Sequence, residues 1–258
     1  MPKPVPLPAA FLTTPIAHRA YHNRALRRPE NTPAAIRAAL AAGYGIEIDV
    51  QLSADAQAIV FHDCSLARLT DAHGPLASRS AADLTAIRLK DSDDTIPTLP
   101  QVLEIIAGRT PLLIEIKDQD GSLGPNVGAL EAATAAALKS YQGPVALMSF
   151  NPHSIAEMAR LAPHIPRGLT TSSFNPADWV PLSPRICAAL RDIPDYDRTA
   201  ASFISHEWQD LARPRVAALK AAGAVILCWT VRSAADEAKA RKIAQNITFE
   251  HYAASLPA

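Results

Sequence analysis

Three features of the sequence predict a TIM (β/α)₈ barrel. Eight short runs rich in Val, Ile and Leu alternate with longer Ala- and Leu-rich runs of helical length. Such alternation favours parallel strands joined by crossover helices, and eight units fit a closed barrel. Ionisable residues follow several of the apolar runs, at the strand ends where a barrel carries its chemistry. An open doubly wound sheet is the alternative fold, disfavoured because no glycine-rich nucleotide loop follows the first strand.

The first strand and helix are defined by their boundary residues. An apolar strand is expected at 13–18. The helix predicted at 31–43 has Thr32 as its N-cap, Pro33 at its first helical position and Gly43 as its terminator. These residue types satisfy or remove backbone groups that a helix end leaves unpaired.

The second strand, at 44–50, is followed by a long irregular stretch. A further extended run at 56–62 lies beyond a turn-rich link too short for a helix, so the two runs predict a hairpin-like extension. Residues 63–95 are polar and irregular except for a short helical run at 80–88. We therefore expect an insertion after the second strand, at about residues 51–96, and connections of this length usually have a function.

The alternation then continues regularly to the end of the chain. The remaining strands are predicted at 111–117, 144–150, 165–171, 199–205, 224–231 and 246–249. The remaining helices are predicted at 98–108, 126–141, 152–162, 184–193, 208–223 and 233–244. Pro214 lies inside a helical run, so we expect a kink or a break there. Nothing in the sequence marks a second domain, and one domain is predicted over residues 1–258.

The overall composition excludes several classes of protein. The 25 basic and 25 acidic residues give a formal net charge of zero, so a nucleic-acid partner is not expected. Cys64, Cys187 and Cys228 are sparse and lack CxxC spacing, which indicates reduced thiols in a cytoplasmic protein. No run approaches the roughly 20 apolar residues that span a bilayer, so stable membrane insertion is not expected. The sequence leaves the oligomeric state open.

Two carboxylates lie within the apolar strand at 44–50. Side chains alternate across a strand, so Glu47 and Asp49 share one face while their apolar neighbours share the other. Two ionised carboxylates in a buried strand repel each other and lose hydration unless a cation or hydrogen bonds compensate. With Glu115 in the next barrel strand they form an all-oxygen set, which suits a hard divalent cation such as Mg²⁺ or Ca²⁺.

Cations and histidines are predicted at the same rim. Arg19 and Lys117 suit a phosphoryl group, and both His18 and His62 can titrate near neutral pH as general acid or base. Taken alone, each has a structural explanation, such as an ion pair for Lys117 or a strand cap for His18 and Arg19. Together they indicate metal-assisted phosphoryl chemistry, because unpaired charges at one rim would cost about several kcal/mol each without a purpose. Residues 206–208 (HEW) are expected to be structural.

The chain resembles the glycerophosphodiester phosphodiesterase family from about residue 14 to residue 250. The resemblance rests on AHRA, RRPENT, GYGIEIDVQLSADAQAIVFHD with the following LARLT, IPTL, LLIEIK, SF at 149–150 and CWTV. It implies a TIM-barrel, metal-dependent hydrolase that cleaves glycerophosphodiesters to sn-glycerol 3-phosphate and an alcohol in glycerophospholipid breakdown. The implied cofactor is one divalent cation, Mg²⁺ or Ca²⁺, and the implied partner is the small-molecule substrate.

The resemblance also implies a role for individual residues, matched by position. His18 and His62 correspond to the acid–base histidines of the family. Arg19 corresponds to the phosphate-stabilising arginine and Lys117 to the active-site lysine. The implied metal ligands are Glu47, Asp49 and Glu115.

Three further residues and two departures complete the resemblance. Glu30 matches the PENT glutamate, and we expect it to support Arg19 or the metal cluster from behind. Phe150 and Trp229 are expected to form an apolar wall beside the glycerol or the leaving group. The family usually has glycine where this chain has Ala20, which is unfavourable if that position needs a positive φ. The end of the chain also departs from the family's common ending, an aspartate after an apolar strand.

Three alternative functions remain open at this point. A lysophospholipase D or phospholipase-like enzyme would need an exposed apolar entrance, and the chain has no long apolar insertion. A barrel that only binds a phosphorylated metabolite would need cations and a metal but not two histidines. A metal-dependent lyase or isomerase with Lys117 as its base is disfavoured because no carboxylate follows the fourth or fifth strand.

Overall fold

Eight parallel strands close into a barrel, as the sequence predicts. The computed structural model describes residues 3–256. Its strands are β1 (Ile16–Ala17), β2 (Gly45–Leu52), β3 (Ala58–Val60), β4 (Leu112–Ile116), β5 (Val145–Ser149), β6 (Arg167–Thr171), β7 (Phe203–Glu207), β8 (Val225–Val231) and β9 (Asn246–Phe249). The ring closes because β1 pairs in parallel with both β2 and β9, while β4 to β8 fill the arc between them. The strand β3 pairs antiparallel with β2 and lies outside the ring.

Most of the helices connect the strands around the outside of the barrel, and the first one precedes β1. They are α1 (Ala10–Thr13), α2 (Pro33–Ala42), α3 (Ala81–Ala86), α4 (Leu99–Ile106), α5 (Ala129–Leu138), α6 (Pro152–Leu161), α7 (Pro184–Arg191), α8 (Pro214–Ala221) and α9 (Ala234–Ala240). Short 3₁₀ turns lie at Arg24–Leu26, Leu76–Ser78 and Trp208–Asp210. The single domain predicted over 1–258 stays a prediction, and residues 1–2 and 257–258 lie outside the described part of the chain.

The helix α2 has the predicted caps, and they matter because Glu30 and Asn31, immediately before it, hydrogen-bond to Arg19 and Asp49. Thr32 Oγ1 accepts a hydrogen bond from the Ala35 N–H at 3.1 Å, and Pro33 occupies the first turn. Gly43 ends the helix with φ +75°, a left-handed conformation that glycine adopts without a steric penalty. The start of α2, directly after residues 30 and 31, is thus fixed by its cap.

Several predicted boundaries are wrong by a few residues, and one of them changes the surroundings of His206. The strand predicted at 199–205 is β7, at Phe203–Glu207, because a hydrogen bond from the Thr199 N–H to the Asp195 carbonyl keeps that segment in a turn. His206 and Glu207 therefore lie in the strand itself. The predicted break at Pro214 is confirmed, since α8 begins there after a separate 3₁₀ turn.

The apolar residues form separate layers inside and outside the strands. Ile46, Ile48 and Val50 of β2 face outward and pack with helix residues such as Val102, as the alternation of side chains requires. Inside the barrel, a second cluster fills the end at which the strands begin; its members include Phe11, Ile16, Leu113, Ala146, Phe203 and Leu227. We call this second group the floor cluster.

A glycine in β6 is required by this packing. A Cβ added at Gly168 would lie 2.5 Å from carbons of the Phe203 ring and 2.6 Å from the Phe203 carbonyl oxygen. Real side chains do not approach so closely, so Gly168 leaves the space that the ring of Phe203 occupies. Within the floor cluster, the ring of Phe203 thus fills the space that a side chain at position 168 on the neighbouring strand would occupy.

Between residues 3 and 256, no helix has both the length and the apolar character needed to cross a membrane.

Candidate active site

A cavity of about 160 Å³ lies at the end of the barrel where the strands finish. Nine of the ten site residues predicted from the sequence line it: His18, Arg19, Glu47, Asp49, His62, Glu115, Lys117, Phe150 and Trp229. Glu30 is outside this lining and contacts it through Arg19. The closing of the barrel therefore brings together residues from both ends of the sequence.

Three buried carboxylates form the base of the cavity. One oxygen from each of Glu47, Asp49 and Glu115 lies within 4.8 Å of the others. Asp49 and Glu115 are direct neighbours in the β2–β4 pairing, whereas Glu47 lies beside Leu113, at the boundary with the floor cluster. Burial, and then the charges of Asp49 and Glu115, raise the pKa of Glu47 well above its usual value. The neighbouring groups thus do not fully neutralise the negative charge of the three carboxylates. This set of oxygen ligands fits a hard divalent cation.

Lys117 and Arg19 contact the carboxylates from two sides. Lys117 Nζ lies 2.7 Å from Glu115 Oε1 and 3.5 Å from Asp49 Oδ1. Although burial opposes its charge, the carboxylates of Glu115 and Asp49 raise the pKa of Lys117. Arg19 Nε lies 3.5 Å from Asp49 Oδ2. Both cations therefore remain charged at neutral pH.

The carboxylate of Asp49 is kept ionised by these neighbours. Burial by itself would raise the pKa of Asp49, but the positive charges of Lys117, His62 and Arg19 lower it well below its usual range. Asn31 contributes as well, since its Nδ2–H donates to Asp49 Oδ2 at 2.9 Å. Asn31 Oδ1 accepts from the Asp49 backbone N–H at 3.3 Å, so the asparagine side chain binds both the strand and the carboxylate.

The chain turns sharply where β1 ends, and this turn presents Arg19. Arg19 and Ala20 both have positive φ, +49° and +64°. The turn is held by the Arg19 N–H, which donates to Glu47 Oε2 at 2.7 Å, and by the Ala20 N–H, which donates to the Glu47 carbonyl at 2.9 Å. Ala20 thus occupies a left-handed conformation that favours glycine, which is the family's usual residue there.

Each histidine in the cavity is oriented by a carboxylate. His18 Nδ1 lies 2.6 Å from Glu250 Oε2, and His62 Nδ1 lies 2.7 Å from Asp63 Oδ1. An ionised carboxylate can only accept, so Nδ1 carries the proton in both rings and Nε2 is the remaining nitrogen. Burial lowers the pKa of His18, and the hydrogen bond to Glu250 offsets part of that effect. Burial would raise the pKa values of Asp63 and Glu250, but hydrogen bonds from the histidines lower both.

A chain of ion pairs links the carboxylate behind His62 to Arg19. Arg68 Nε donates to Asp63 Oδ2 at 2.6 Å, and Arg68 Nη2 donates to Glu30 Oε1 at 2.7 Å. Glu30 Oε1 also accepts from Arg19 Nη1 at 2.8 Å. Burial opposes the ionisation of Glu30, but the hydrogen bond from Arg68 and the charge of Arg19 lower its pKa. Arg68 therefore joins Glu30, which contacts Arg19, to Asp63, which contacts His62.

Aromatic side chains form the other wall of the cavity. The rings of Phe150 and Trp229 meet edge to face with centroids 5.5 Å apart, and Trp179 approaches Phe150 at 4.8 Å. Trp229 Nε1–H donates to the Ser205 carbonyl at 2.9 Å, which fixes the orientation of the indole. Trp179 was not predicted from the sequence, because it lies in an irregular segment after β6 that carries no periodic signal.

Four polar residues of this site were missed by the sequence analysis: Asn31, Asp63, Arg68 and Glu250. Glu250 follows β9 directly, so reading the end of the last strand as the other strand ends were read would have found it. The chain therefore does have a carboxylate after its last strand. Asn31 and Asp63 are adjacent to predicted residues, and Arg68 lies in the LARLT motif of the resemblance, although no role was assigned to it from the sequence.

His206, expected to be structural, lies outside the cavity lining. It is fully buried, its Nδ1 lies 2.8 Å from Thr171 Oγ1, and its Nε2 lies 3.2 Å from Asp210 Oδ2. Burial lowers the pKa of His206. These contacts account for both nitrogens of the ring without a ligand.

Comparisons with known proteins show the family of the chain. The family model described as the glycerophosphoryl diester phosphodiesterase family matches residues 18–247. A glycerophosphodiester phosphodiesterase of Caldanaerobacter subterraneus subsp. tengcongensis is 33% identical over 167 residues, which are 61% of this chain and 66% of that protein. A putative glycerophosphodiester phosphodiesterase of Bacillus subtilis is 27% identical over 87% of this chain and 88% of that protein. The alignment with the first of these relatives thus spans slightly less than two thirds of its length.

Solved structures share the barrel over nearly the whole chain. An Oleispira antarctica phosphodiesterase, solved in complex with the product sn-glycerol-3-phosphate, has a TM-score of 0.77 and 26% identity over 95% of each chain. A glycerophosphodiester phosphodiesterase from Agrobacterium tumefaciens has a TM-score of 0.66 and 25% identity, over 92% of this chain and 96% of that chain. The similarity of the backbone thus extends over more than nine tenths of this chain.

Proposed function

The chain belongs to the glycerophosphoryl diester phosphodiesterase family, and we propose that it hydrolyses glycerophosphodiesters to sn-glycerol 3-phosphate and an alcohol. One observation carries the proposal. A single cavity contains three buried carboxylates, two cations and two histidines, each histidine oriented by its own carboxylate. The product named for the similar Oleispira antarctica structure belongs to the same reaction and supports the choice of substrate class.

Glu47, Asp49 and Glu115 would hold one divalent cation, Mg²⁺ or Ca²⁺. All three ligands are hard oxygen donors, and the raised pKa of Glu47 reflects burial and the negative charge of its two neighbours. When bound, such an ion supplies charge neutralisation at the oxygens of the phosphoryl group. Lys117, paired with Glu115, limits the net negative charge of the cluster and so favours a single ion.

Arg19 and Lys117 bind and stabilise the phosphoryl group. Negative charge grows on the phosphoryl oxygens as the diester bond is cleaved, and fixed cations in a buried site stabilise it strongly. Arginine can bind two of these oxygens at once through its planar guanidinium group. Glu30 acts as a positioning residue, since its carboxylate accepts from Arg19 Nη1 and so fixes the guanidinium group beside the cavity.

His18 and His62 form the acid–base pair. Each ring is fixed through Nδ1, so each has Nε2 for proton exchange with the reacting groups. One histidine removes the proton of the nucleophile, and the other protonates the oxygen of the departing alcohol. Two oriented histidines favour turnover over simple binding of a phosphorylated metabolite, for which cations alone would suffice.

Phe150 and Trp229 form the apolar side of the substrate site, beside the glycerol or the departing alcohol. This wall is small, and the cavity of about 160 Å³ has room for a glycerophosphoryl group rather than for acyl chains. We accordingly assign water-soluble diesters from glycerophospholipid breakdown as substrates, in a cytoplasmic enzyme.

The test is the release of glycerol 3-phosphate from a panel of diesters. The panel contains glycerophosphocholine and glycerophosphoethanolamine, together with lysophosphatidylcholine, whose cleavage yields lysophosphatidate and is followed as release of choline. Each substrate is assayed with EDTA and then with Mg²⁺ or Ca²⁺ restored. We expect release from the glycerophosphodiesters, loss of activity with EDTA and recovery with one of the two ions. Cleavage of lysophosphatidylcholine alone, or no release of glycerol 3-phosphate from any diester, would overturn the proposal.

A further inference from the structure

A second group of metal-binding side chains lies on the Nδ1 side of His18. His18, His22 and Glu250 each offer one ligand atom, and these atoms lie within 4.8 Å of one another. We propose that these three residues form a separate site for a borderline cation such as Zn²⁺, and that its occupation withdraws His18 from catalysis. The effect on His18 rests on the proposed function, whereas the existence of the cation site does not.

The observed distances are close to those of a zinc site. Ligands about 2.1 Å from a tetrahedral ion lie roughly 3.4 Å apart. His22 Nε2 lies 3.4 Å from Glu250 Oε2, which matches. His18 Nδ1 is nearer to the same oxygen, at 2.6 Å, because a proton lies between them. Replacing that proton by an ion requires a widening of less than about 1 Å, within the reach of side-chain rotation.

The donor types distinguish this group from the carboxylate cluster. Two imidazoles and one carboxylate suit Zn²⁺ and related transition metals, whereas Mg²⁺ and Ca²⁺ prefer sites made only of oxygen. Glu47, Asp49 and Glu115 offer only oxygens. The two sites are therefore expected to select different ions from a mixture.

An ion can reach this group from solvent. His22 lines a second cavity of about 500 Å³, together with His251 and Tyr252. His251 is exposed, and its Nε2 lies 3.3 Å from Glu250 Oε1, so a further imidazole is close to the entry path. Water can complete the coordination of the ion from the open cavity.

Arg232 opposes the binding of a cation at this site, so its removal gives a prediction with a definite sign. Arg232 Nε donates to Glu250 Oε1 at 2.7 Å, so it competes for the carboxylate and repels a divalent ion. Removing its charge with Arg232→Gln should therefore tighten Zn²⁺ binding. A purely structural histidine–glutamate cluster predicts no such gain.

Occupation of the site would prevent proton exchange by His18. An ion on Nδ1 leaves the only ring proton on Nε2, so this nitrogen has no lone pair with which to accept a proton. The imidazole also cannot take up a second proton at Nδ1 while the ion is bound. Zn²⁺ should consequently inhibit the enzyme even when the carboxylate cluster is saturated with Mg²⁺.

The experiment compares four proteins in excess Mg²⁺: the natural chain, His22→Gln, Arg232→Gln and the control His73→Gln, in which an exposed histidine far along the sequence is replaced. Zn²⁺ retained per chain is measured after equilibrium dialysis, and glycerol 3-phosphate release is measured during Zn²⁺ titration. We expect His22→Gln to keep its basal activity and to bind Zn²⁺ at least about 10-fold more weakly, with an equal loss of inhibition. His73→Gln should behave as the natural chain does.

The two measurements separate the possible failures. Unchanged Zn²⁺ binding by His22→Gln, or no tighter binding by Arg232→Gln, would overturn the site. Zn²⁺ bound through His22 with full turnover would support the site and overturn its effect on His18. Absence of turnover in all proteins would contradict the proposed function, while dialysis would still decide whether the site exists.

Discussion

The two ends of the barrel interior are built on the same strands from opposite kinds of side chain. On β4, Leu113 belongs to the floor cluster, and Glu115, two residues later, belongs to the carboxylate cluster. Ile16 of β1 packs in the floor, and His18, directly after β1, lines the cavity above it. Since side chains on one face repeat every two residues, a single step along the strand separates the apolar floor from the ionised rim.

The two ends also differ in what stabilises them. The floor cluster is closed by the short helix α1, which Asn246 fastens by donating to the Phe11 and Thr14 carbonyls at 2.8 and 2.7 Å. Burial of apolar surface there stabilises the fold without need of partners. At the rim, by contrast, buried charges are stabilising only when each has a partner. We infer that the floor supplies stability and that the rim sacrifices some of it for chemistry, an arrangement common at functional sites.

The largest effect is expected at the rim, on activity. His18→Ala should lower turnover of glycerophosphocholine by about 10²–10⁴-fold, because proton transfer by a positioned side chain contributes that much. The free energy of unfolding should fall by only about 1–3 kcal/mol, because buried Glu250 loses one hydrogen-bond donor but keeps Arg232. Metal affinity should be nearly unchanged, since His18 is not a member of the carboxylate cluster. His73→Ala is the matched control. Unchanged hydrolysis by His18→Ala would contradict its assignment.

The next largest effect is expected in the floor, on stability. Phe203→Ala should lower the free energy of unfolding by about 3–5 kcal/mol, as is usual when a buried phenylalanine is truncated. Turnover per folded molecule should stay within a few-fold of the natural chain, because the cavity does not include Phe203. Denaturant unfolding and active-site titration measure the two quantities, and Leu26→Ala, at an exposed position, is the control. If Phe203→Ala remained as stable as the natural chain but lost turnover, the floor cluster would not be the part of the barrel that supplies stability.

A smaller and opposite effect is expected for Glu47→Gln in the metal-free protein. Burial and the charges of Asp49 and Glu115 raise the pKa of Glu47, so its ionisation destabilises the fold. Removing this charge should stabilise the metal-free protein at pH 8 by about 1–3 kcal/mol, the range for an uncompensated buried polar group. Added Mg²⁺ should stabilise the natural chain and not the variant.

The pH dependence of this gain has a definite sign. Because the folded-state pKa of Glu47 is raised, its ionisation costs nothing below the unfolded-state value of 4.5 and destabilises the fold as pH rises through the folded value. The advantage of Glu47→Gln should therefore grow from about pH 4.5 upward. Thermal unfolding of both metal-free proteins across this range measures it, and a gain that is the same at every pH would refute the electrostatic explanation.

The smallest effect is expected for Ala20→Gly, at the turn that presents Arg19. Glycine relieves the positive φ of +64° but loses a buried methyl group, and each effect is worth about 1 kcal/mol. The free energy of unfolding should thus change by less than about 1 kcal/mol. At Ala39, in the interior of α2, the same substitution relieves nothing and should cost about 1–2 kcal/mol. Equal losses at the two positions would show that the turn at Ala20 is not strained.

Much of the site was predictable because its signals are local. The face shared by Glu47 and Asp49 follows from the alternation of a strand, and the caps of α2 follow from Thr32 and Gly43. The short helix α1 had no such signal, because its four residues are too few to show a period. Its position is determined by packing onto the floor cluster.

The sequence by itself determined the class of fold, the carboxylate set and the residues available for acid–base chemistry, because strand alternation and residue type are properties of neighbouring positions. Only the tertiary structure decided which partner orients each functional group. Glu250 meets His18 across 232 positions of the chain, and Arg68 meets Glu30 across 38. These contacts exist because β1 pairs with β9 and the chain after β3 returns to the rim, and no local pattern encodes the closing of a ring.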